Sequence, residues 1–342
     1  MAEERALLIS VGGGVGDTFL ASVVARALRR RFSTVDMLAA PAHRAVLRGN
    51  PDIDEVLANQ DVRDLRKRNY QAAICTWATL ENALLPLRAC IPTRVGQARR
   101  LYSGLFSKRV VVRSELGDHG SHWTDILLDY ARVLGCDTAD RQPRVTLSPA
   151  DRAEARRLLE NARIDGAFAI LHPTRGIPRP ARWPAPPFAR ILNELVARYR
   201  MPVLVTGSQN DRPIVAQIFS EARTAPRPFS AREASAVNLA GATSLRGFVA
   251  LAERARFVVA MDSGPMHLAA STGTPTVGIF ALRSDEPERW APLGSAAAIV
   301  RGTYPCPPNH RKETCPDFAC VRSLEPASIV SALSALVATE TT

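Results

Sequence analysis

The sequence has no run of about 18 uncharged apolar residues, which is the length that a transmembrane helix requires, so it predicts no membrane-spanning segment. Near Met1 there is no basic stretch followed by an apolar one, which excludes a secretion signal and predicts a cytoplasmic protein. Tandem repeats and low-complexity segments are also absent. The chain has 342 residues and is 46% hydrophobic, which favours two folded domains of ordinary size.

Close pairs of cysteines, as in zinc sites, are missing as well. Cys306, Cys315 and Cys320 lie near the end of the chain with His310 between them, at spacings of nine and five residues. These spacings do not make the two close pairs that are typical of a zinc site. Zinc stays an alternative, but the sequence favours a reduced structural cluster in a proline-rich loop, and we predict no metal.

Acidic side chains are in the minority, and arginine supplies most of the formal net charge of +11. No aromatic residues alternate with the basic ones as in nucleic-acid-binding surfaces, so we expect no nucleic-acid partner. A basic surface suits an anionic substrate or an anionic membrane surface. A second interpretation stays open, in which part of the charge lies on solvated faces without any partner.

Repeated alternation of apolar runs and helical patterns predicts parallel α/β sheets in both halves of the chain. The first apolar run, Arg5 to Val11, enters the glycine-rich stretch 12–16 and then Asp17. No Gly-Lys-Ser/Thr follows, which excludes a nucleoside-triphosphate P-loop. Asp17 stands where a dinucleotide-binding fingerprint has its third glycine, and Asp36 is a weak candidate for the acid of that fingerprint, so a dehydrogenase is disfavoured. Asp17 can cap the following helix, and a carboxylate at this edge of the sheet is also well placed to act as a general base.

The most informative stretch begins with an apolar, β-branched run, 257–261, which predicts a buried parallel strand. Asp262 and Ser263 can cap a following helix, Gly264 permits close approach of a ligand, and a second strand is predicted over 276–280. Such a turn lies at the carboxyl edge of a sheet, where a phosphate is favoured, and His267 could donate to it. The alternative is that Asp262 only caps the helix and that His267 only packs.

Residues 262–270 together with 273–280 resemble the signature of the ADP-heptose–lipopolysaccharide heptosyltransferase family. The resemblance implies an α/β, GT-B fold, with two Rossmann-like domains that face each other across a cleft. It implies an acceptor domain over 1–147 and a nucleotide-sugar donor domain over 148–342, with the last helix packing on the first domain.

The resemblance also implies residue roles. Gly16-Asp17 resembles the amino-terminal motif of the family, which makes Asp17 the catalytic base. The stretch 174–184 resembles the donor-phosphate loop, in which a lysine normally stands where this sequence has Ala181, so we expect Arg179 or Arg182 to supply the charge. The further donor-side residues are Thr174, Asp211, Asp262, Ser263, Gly264 and His267. The acceptor-side residues are Gly14, Gly16 and Arg94.

The function that the resemblance implies is inverting, metal-independent transfer of a heptose from ADP-heptose to a lipopolysaccharide inner-core acceptor, without a cofactor. The expected partners are an ADP-sugar and a lipid-linked acceptor, with peripheral contact at the cytoplasmic face of the inner membrane. Two alternatives stay open. One is a family member with another nucleotide-sugar or a non-lipopolysaccharide acceptor, and the other is a nucleotide-binding relative that has lost catalysis.

Overall fold

A computed structural model describes residues 4–58, 61–176, 183–224, 236–282, 284–294, 296–307, 313 and 315–338. The chain divides into two compact units, Met1–Thr146 and Leu147–Thr342. Each unit has a parallel sheet of six strands between helices, so the predicted α/β class is confirmed. Within the described ranges, no helix is long and apolar enough to cross a membrane.

The first unit is built on strands joined by crossover connections, as parallel pairing requires. Its strands are β1 (Arg5–Ser10), β2 (Thr34–Ala39), β3 (Val56–Leu57), β4 (Ala72–Cys75), β5 (Thr93–Gln97) and β6 (Lys108–Val110). Its α-helices are α1 (Val15–Leu28), α2 (Arg44–Leu47), α3 (Val62–Lys67), α4 (Leu80–Arg88) and α5 (Trp123–Arg132). The sheet order is β3-β2-β1-β4-β5-β6.

The second unit repeats this plan. Its strands are β7 (Ala169–His172), β8 (Val203–Val205), β9 (Ala236–Asn238), β10 (Phe257–Met261), β11 (Thr276–Phe280) and β12 (Ala297–Arg301). Its α-helices are α6 (Pro149–Asn161), α7 (Pro186–Tyr199), α8 (Arg212–Thr224), α9 (Leu245–Ala252), α10 (Gly264–Ala270), α11 (Pro287–Trp290), α12 (Ala319–Arg322) and α13 (Pro326–Ala338). The sheet order is β12-β11-β10-β7-β8-β9.

Both sheets have the strand order of a Rossmann fold, in which the chain reverses direction across the sheet after the third strand. The reversal places β1 beside β4 in the first unit and β7 beside β10 in the second. Ligands of open α/β sheets bind at this switch point, outside the carboxyl ends of the two strands. The topology therefore predicts that ligands bind at the turns after β1, β4, β7 and β10.

The central strands consist mainly of apolar residues because helices cover both faces of each sheet. Every residue of β10 is fully buried, and β1 is buried from Ala6 onward. The last helix, α13, packs on α7, β11 and β12, and its Ile329 and Leu333 belong to the core of the second unit. This helix therefore contributes to the core of the second unit.

Asp36, the weak dehydrogenase candidate, lies inside the first sheet rather than at its edge. It is level with Leu7 of β1, and its carboxylate accepts hydrogen bonds from Tyr70, at 2.5 Å, and from Arg5 and Arg68. These three donors hold Asp36 in a structural network. It is thus not placed to bind a ribose.

Candidate functional site

The glycine-rich loop of the first unit follows β1 at the switch point. Gly12 and Gly13 have φ values of +136° and +65°, which residues other than glycine rarely adopt. The indole of Trp77, in the turn after β4, lies directly against them, and a Cβ atom on Gly12 would come within 2.1 Å of it. The glycines thus allow the indole of Trp77 to pack closely against the loop.

Asn82 fixes the geometry of these two turns. Its Nδ2 atom donates to the carbonyl of Val11, at 2.8 Å, and to the carbonyl of Trp77, at 3.0 Å. A single buried amide thus joins the ends of β1 and β4. Neither Trp77 nor Asn82 was a predicted site residue, because no local motif marks them.

Asp17 lies in the first turn of α1, at the carboxyl edge of the sheet. Its Oδ2 atom accepts a hydrogen bond of 2.7 Å from the amide of Gly14, so it caps the start of the helix. Gly14 and Gly16 belong to the same turn. The carboxylate is partly exposed, which leaves it accessible at the sheet edge. Capping and service as a base are compatible, because a carboxylate has several acceptor sites.

His43 is a further titratable group beside Asp17. It ends the short 3₁₀ helix Pro41–His43 after β2, and its Nδ1 atom lies 3.0 Å from Oγ1 of Thr18. Burial lowers the pKa of His43, and the charge of Asp17 opposes this shift only in part. The imidazole is therefore neutral at pH 7. Its position next to Asp17 depends on the fold, since the two residues are far apart in sequence.

In the second unit, the Asp262-Ser263-Gly264 turn follows β10 at the switch point. Ser263 is the N-cap residue of α10 but makes no side-chain capping bond, and its hydroxyl instead donates to the carbonyl of Met261, at 2.9 Å. The expectation that these side chains cap α10 is therefore wrong for Ser263, because its hydroxyl turns back to the strand. His267 is buried within α10.

Arg175 braces this turn, and the sequence analysis did not single it out. It follows β7 and donates from Nη2 to Oδ2 of Asp262, at 3.1 Å, and from Nη1 to Oδ1 of Asp285, at 2.7 Å. Burial alone would lower the pKa of Arg175, but the charges and hydrogen bonds of Asp285 and Asp262 outweigh it and raise the pKa. The guanidinium thus joins the turns after β7, β10 and β11.

The charge of this cluster limits its role. Two carboxylates and one guanidinium carry a net charge of about −1. Such a cluster orients the turn after β10 but does not by itself attract a diphosphate. The positive charge for an anionic ligand must come from backbone amides and from other cations.

Two buried polar side chains, Thr174 and His172, precede Arg175 in the chain. Thr174 is 1% exposed, and its hydroxyl has no hydrogen-bond partner within the described ranges. His172, at the end of β7, contacts the hydroxyl of Thr206 through Nδ1, at 3.0 Å. Burial lowers the pKa of His172 to about 4, opposed in part by Asp211, so the imidazole is neutral near pH 7. A buried hydroxyl without a partner is a candidate ligand contact.

Asp211 lies after β8, and its Oδ2 atom accepts from the amide and the hydroxyl of Ser208, at 2.7 and 2.6 Å, so it closes the turn before α8. Arg179 and Arg182 lie outside the described residues, as does Ala181.

Arg94, predicted on the acceptor side, lies near the amino end of β5, level with Ala73 of β4. Its guanidinium donates to the carbonyls of Ile91, Pro92 and Leu105 at 2.8–3.2 Å. These contacts hold the guanidinium near the amino end of β5, whereas the glycine loop lies at the carboxyl edge, and the acceptor-side role of Arg94 stays a prediction. Arg94 instead ties the loop before β6 to the start of β5.

The cysteine loop packs into the core of the second unit. Cys306, Cys315 and Cys320 are buried and unpaired by disulfides, and Cys315 Sγ accepts from the amide of Phe318, at 3.3 Å. Burial, helped by the neighbouring thiols, raises the pKa of Cys320 to about 11. Among the described residues, which exclude His310, no three His, Cys, Asp or Glu side chains are arranged to hold a metal.

Two Rossmann-like units in one chain are the domain composition of the GT-B fold. The model of glycosyltransferase family 9 (heptosyltransferase) matches residues 60–317, which is three quarters of the chain. The chain therefore belongs to this family, and the resemblance seen in the sequence is confirmed.

Individual relatives agree with this assignment. The lipooligosaccharide heptosyltransferase 2 of Haemophilus influenzae is 30% identical over 246 residues, which cover 69% of this chain and 66% of that protein. The lipopolysaccharide heptosyltransferase 2 of Escherichia coli is 24% identical over 312 residues, or 84% and 85% of the two chains. The solved structure of E. coli ADP-heptose lipopolysaccharide heptosyltransferase II superposes with a TM-score of 0.76 at 21% identity, over 99% and 100% of the chains. The GT-B fold is thus confirmed.

Proposed function

We propose that this chain is an inverting glycosyltransferase that moves a heptose from ADP-heptose to an inner-core acceptor of lipopolysaccharide. Family membership supports the reaction class, and the relatives above are heptosyltransferases. The observation that supports a donor site at specific residues is the Asp262 turn at the switch point of the second unit, where Arg175 binds the Asp262 carboxylate.

The second unit is the donor domain in this proposal. The diphosphate rests against the amides of Ser263 and Gly264, and the buried Thr174 hydroxyl supplies a further contact. Since the Arg175 cluster has no net positive charge, Arg179 or Arg182 supplies the cation in place of the family lysine. Asp211 and His267 line the same edge of the sheet.

The first unit is the acceptor domain, and Asp17 is the general base. Asp17 removes the proton from the attacking acceptor hydroxyl as that oxygen bonds to the anomeric carbon. The bond between this carbon and the diphosphate breaks on the opposite face, and ADP leaves. The amide of Gly14 fixes the rotamer of Asp17 for this role. Neutral His43 lies beside it without adding charge.

The proposed reaction needs no metal, because backbone amides and arginines can stabilise the departing diphosphate. The expected result is that a chelator such as EDTA leaves the transfer rate unchanged. A rate that falls with chelator and returns with one added metal would contradict this part of the proposal.

A panel of nucleotide-sugars tests the donor assignment. ADP-heptose, ADP-glucose, UDP-glucose and GDP-mannose are each incubated with the full chain and a deacylated inner-core acceptor, and nucleotide release is followed. We expect acceptor-dependent release of ADP from ADP-heptose alone. Turnover of a different donor would support the alternative family member, and nucleotide binding without turnover would support an inactive relative.

A further inference from the structure

The first unit carries an exposed surface that is both apolar and basic, consisting of Arg99, Arg100, Leu101 and Leu116, which we call the Leu101 patch. Leu101 has 108% of its reference exposure and Leu116 has 64%. Single exposed leucines are ordinary on protein surfaces. Two of them on neighbouring loops, flanked by arginines, form a patch of the kind that marks an interaction site.

Direct contacts join the two loops that carry the leucines. Nη1 of Arg99 donates to the carbonyl of Glu115, at 3.2 Å. Nη2 of Arg100 lies 3.4 Å from Oε1 of the same residue. Leu101 directly follows Arg100 in the sequence, and Leu116 directly follows Glu115. The two leucines therefore belong to one surface.

The exposure of Leu101 is a property of a well-anchored loop. The hydroxyl of Ser103 donates to the carbonyl of Gln97, at 2.7 Å, and accepts from the amide of Arg100, at 2.9 Å. Tyr102 packs against the core of the first unit. Because the residues on both sides of Leu101 are fixed, the fold itself holds this leucine in solvent.

The charge around the patch is positive. Lys108 and Arg109 are exposed on the neighbouring edge strand β6, and with Arg99 they form no ion pair within the described part of the chain. Glu115 offsets only the charge of Arg100. Apolar side chains surrounded by uncompensated basic ones suit an anionic lipid surface, where phosphates attract the cations and leucine enters the interface.

The patch lies at the carboxyl edge of the first sheet. It follows β5 and β6, as the Gly14–Asp17 turn follows β1, and all strands of this sheet are parallel. A bilayer that contacts the patch therefore lies at the same edge of the sheet as Asp17.

We propose that the Leu101 patch docks the first unit on the surface of an anionic phospholipid bilayer. The purpose of this contact rests on the proposed function, in which the acceptor is embedded in a membrane. The contact itself does not depend on that function and can be measured without any sugar substrate.

The test uses the full chain and sedimentation with vesicles, either of phosphatidylcholine alone or with phosphatidylglycerol at 30 mol%. We expect binding to the anionic vesicles that weakens with added salt. The double variant Leu101→Asp/Leu116→Asp should bind at least about tenfold more weakly, because its apolar contribution is lost. Arg99→Gln/Arg109→Gln should lose about 25-fold, since each basic residue near such a surface contributes about fivefold.

Leu87→Asp is the matched control. Leu87 is 38% exposed in the last turn of α4, which runs away from the carboxyl edge, so this variant should bind like the wild type. Thermal melts verify that each variant is folded. Equal binding by the wild type and the leucine double variant would overturn the proposal, and so would an equal loss in the Leu87 variant.

Transfer assays separate this proposal from the proposed function. The leucine double variant should retain its rate on a deacylated, soluble acceptor and lose rate on an acceptor embedded in anionic vesicles. If the wild type fails on both acceptors but binds vesicles, the proposed function is wrong and the docking surface stands. If the double variant is equally impaired on both acceptors, the patch belongs to the reaction machinery and not to a membrane contact.

Discussion

Replacing Arg175 by methionine should destabilise the second unit and weaken ADP binding together. The substitution keeps much of the side-chain volume but leaves Asp262 and Asp285 without their shared cation. The side chains of the three residues are 13%, 13% and 2% exposed, for Arg175, Asp262 and Asp285 respectively, so solvent screens the loss poorly.

The magnitude follows from this burial. Removing one partner of a buried ion pair typically costs about 3–5 kcal/mol, since an uncompensated charge stays behind. For a unit of this size, each kcal/mol corresponds to about 2–4 °C in melting temperature, which predicts a drop of roughly 6–20 °C. The melting temperature of Arg175→Lys should lie between those of the wild type and Arg175→Met. An ammonium keeps the positive charge but cannot reproduce the two-pronged geometry of a guanidinium.

Differential scanning calorimetry and ADP titration give the two readouts. Arg175→Met/Asp285→Asn should be more stable than Arg175→Met, because one of the two carboxylates that lost the Arg175 guanidinium has been neutralised. Arg152→Met is the matched control, since Arg152 pairs with Glu253 on the surface, and it should leave the melting temperature unchanged. If Arg175→Met melts within about 2 °C of the wild type and binds ADP normally, the bracing role is refuted.

Three further predictions concern individual residues. Asp17→Asn should lower the transfer rate by about 10²–10⁴-fold, measured with saturating donor, while ADP affinity changes little; near-native turnover would remove the base assignment. Arg179→Ala and Arg182→Ala should differ: one of them should weaken ADP-sugar binding by roughly 10–150-fold, and the other should hardly change it. If neither variant changes the affinity, this loop does not hold phosphate. The pKa of His172 is lowered from 6.5 to about 4, so its contribution to stability is complete above pH 6.5 and is lost as the pH falls towards 4. Urea unfolding midpoints of His172→Asn should accordingly decline less between pH 7 and pH 4.5 than those of the wild type, and parallel declines would exclude this proton uptake.

Much of the architecture could be predicted because it depends on local patterns. Apolar β-branched runs followed by helical periodicity specify parallel strands and crossover helices, and β10 and β11 have the predicted bounds. The turns that carry Asp17 and Asp262 could be placed at the carboxyl edge for the same reason, since every parallel strand ends there.

The contacts of the site could not be predicted, because they join residues far apart in the chain. Arg175 and Asp285 are separated by 110 positions, and only the adjacency of β7, β10 and β11 brings them together. Trp77 and the glycine loop meet for the same reason, across β1 and β4. The strand that carries Arg94 could likewise be predicted from its motif, but the carbonyls that hold its guanidinium could not.

The product of the reaction tests the central proposal most directly. The full chain is incubated with ADP-heptose of known anomeric configuration and a deacylated inner-core acceptor, and the new glycosidic linkage is determined by NMR. We predict a heptosylated acceptor whose anomeric configuration is inverted relative to the donor, with one ADP released per linkage formed. A product of retained configuration, or ADP release without a heptosylated acceptor, would contradict the account.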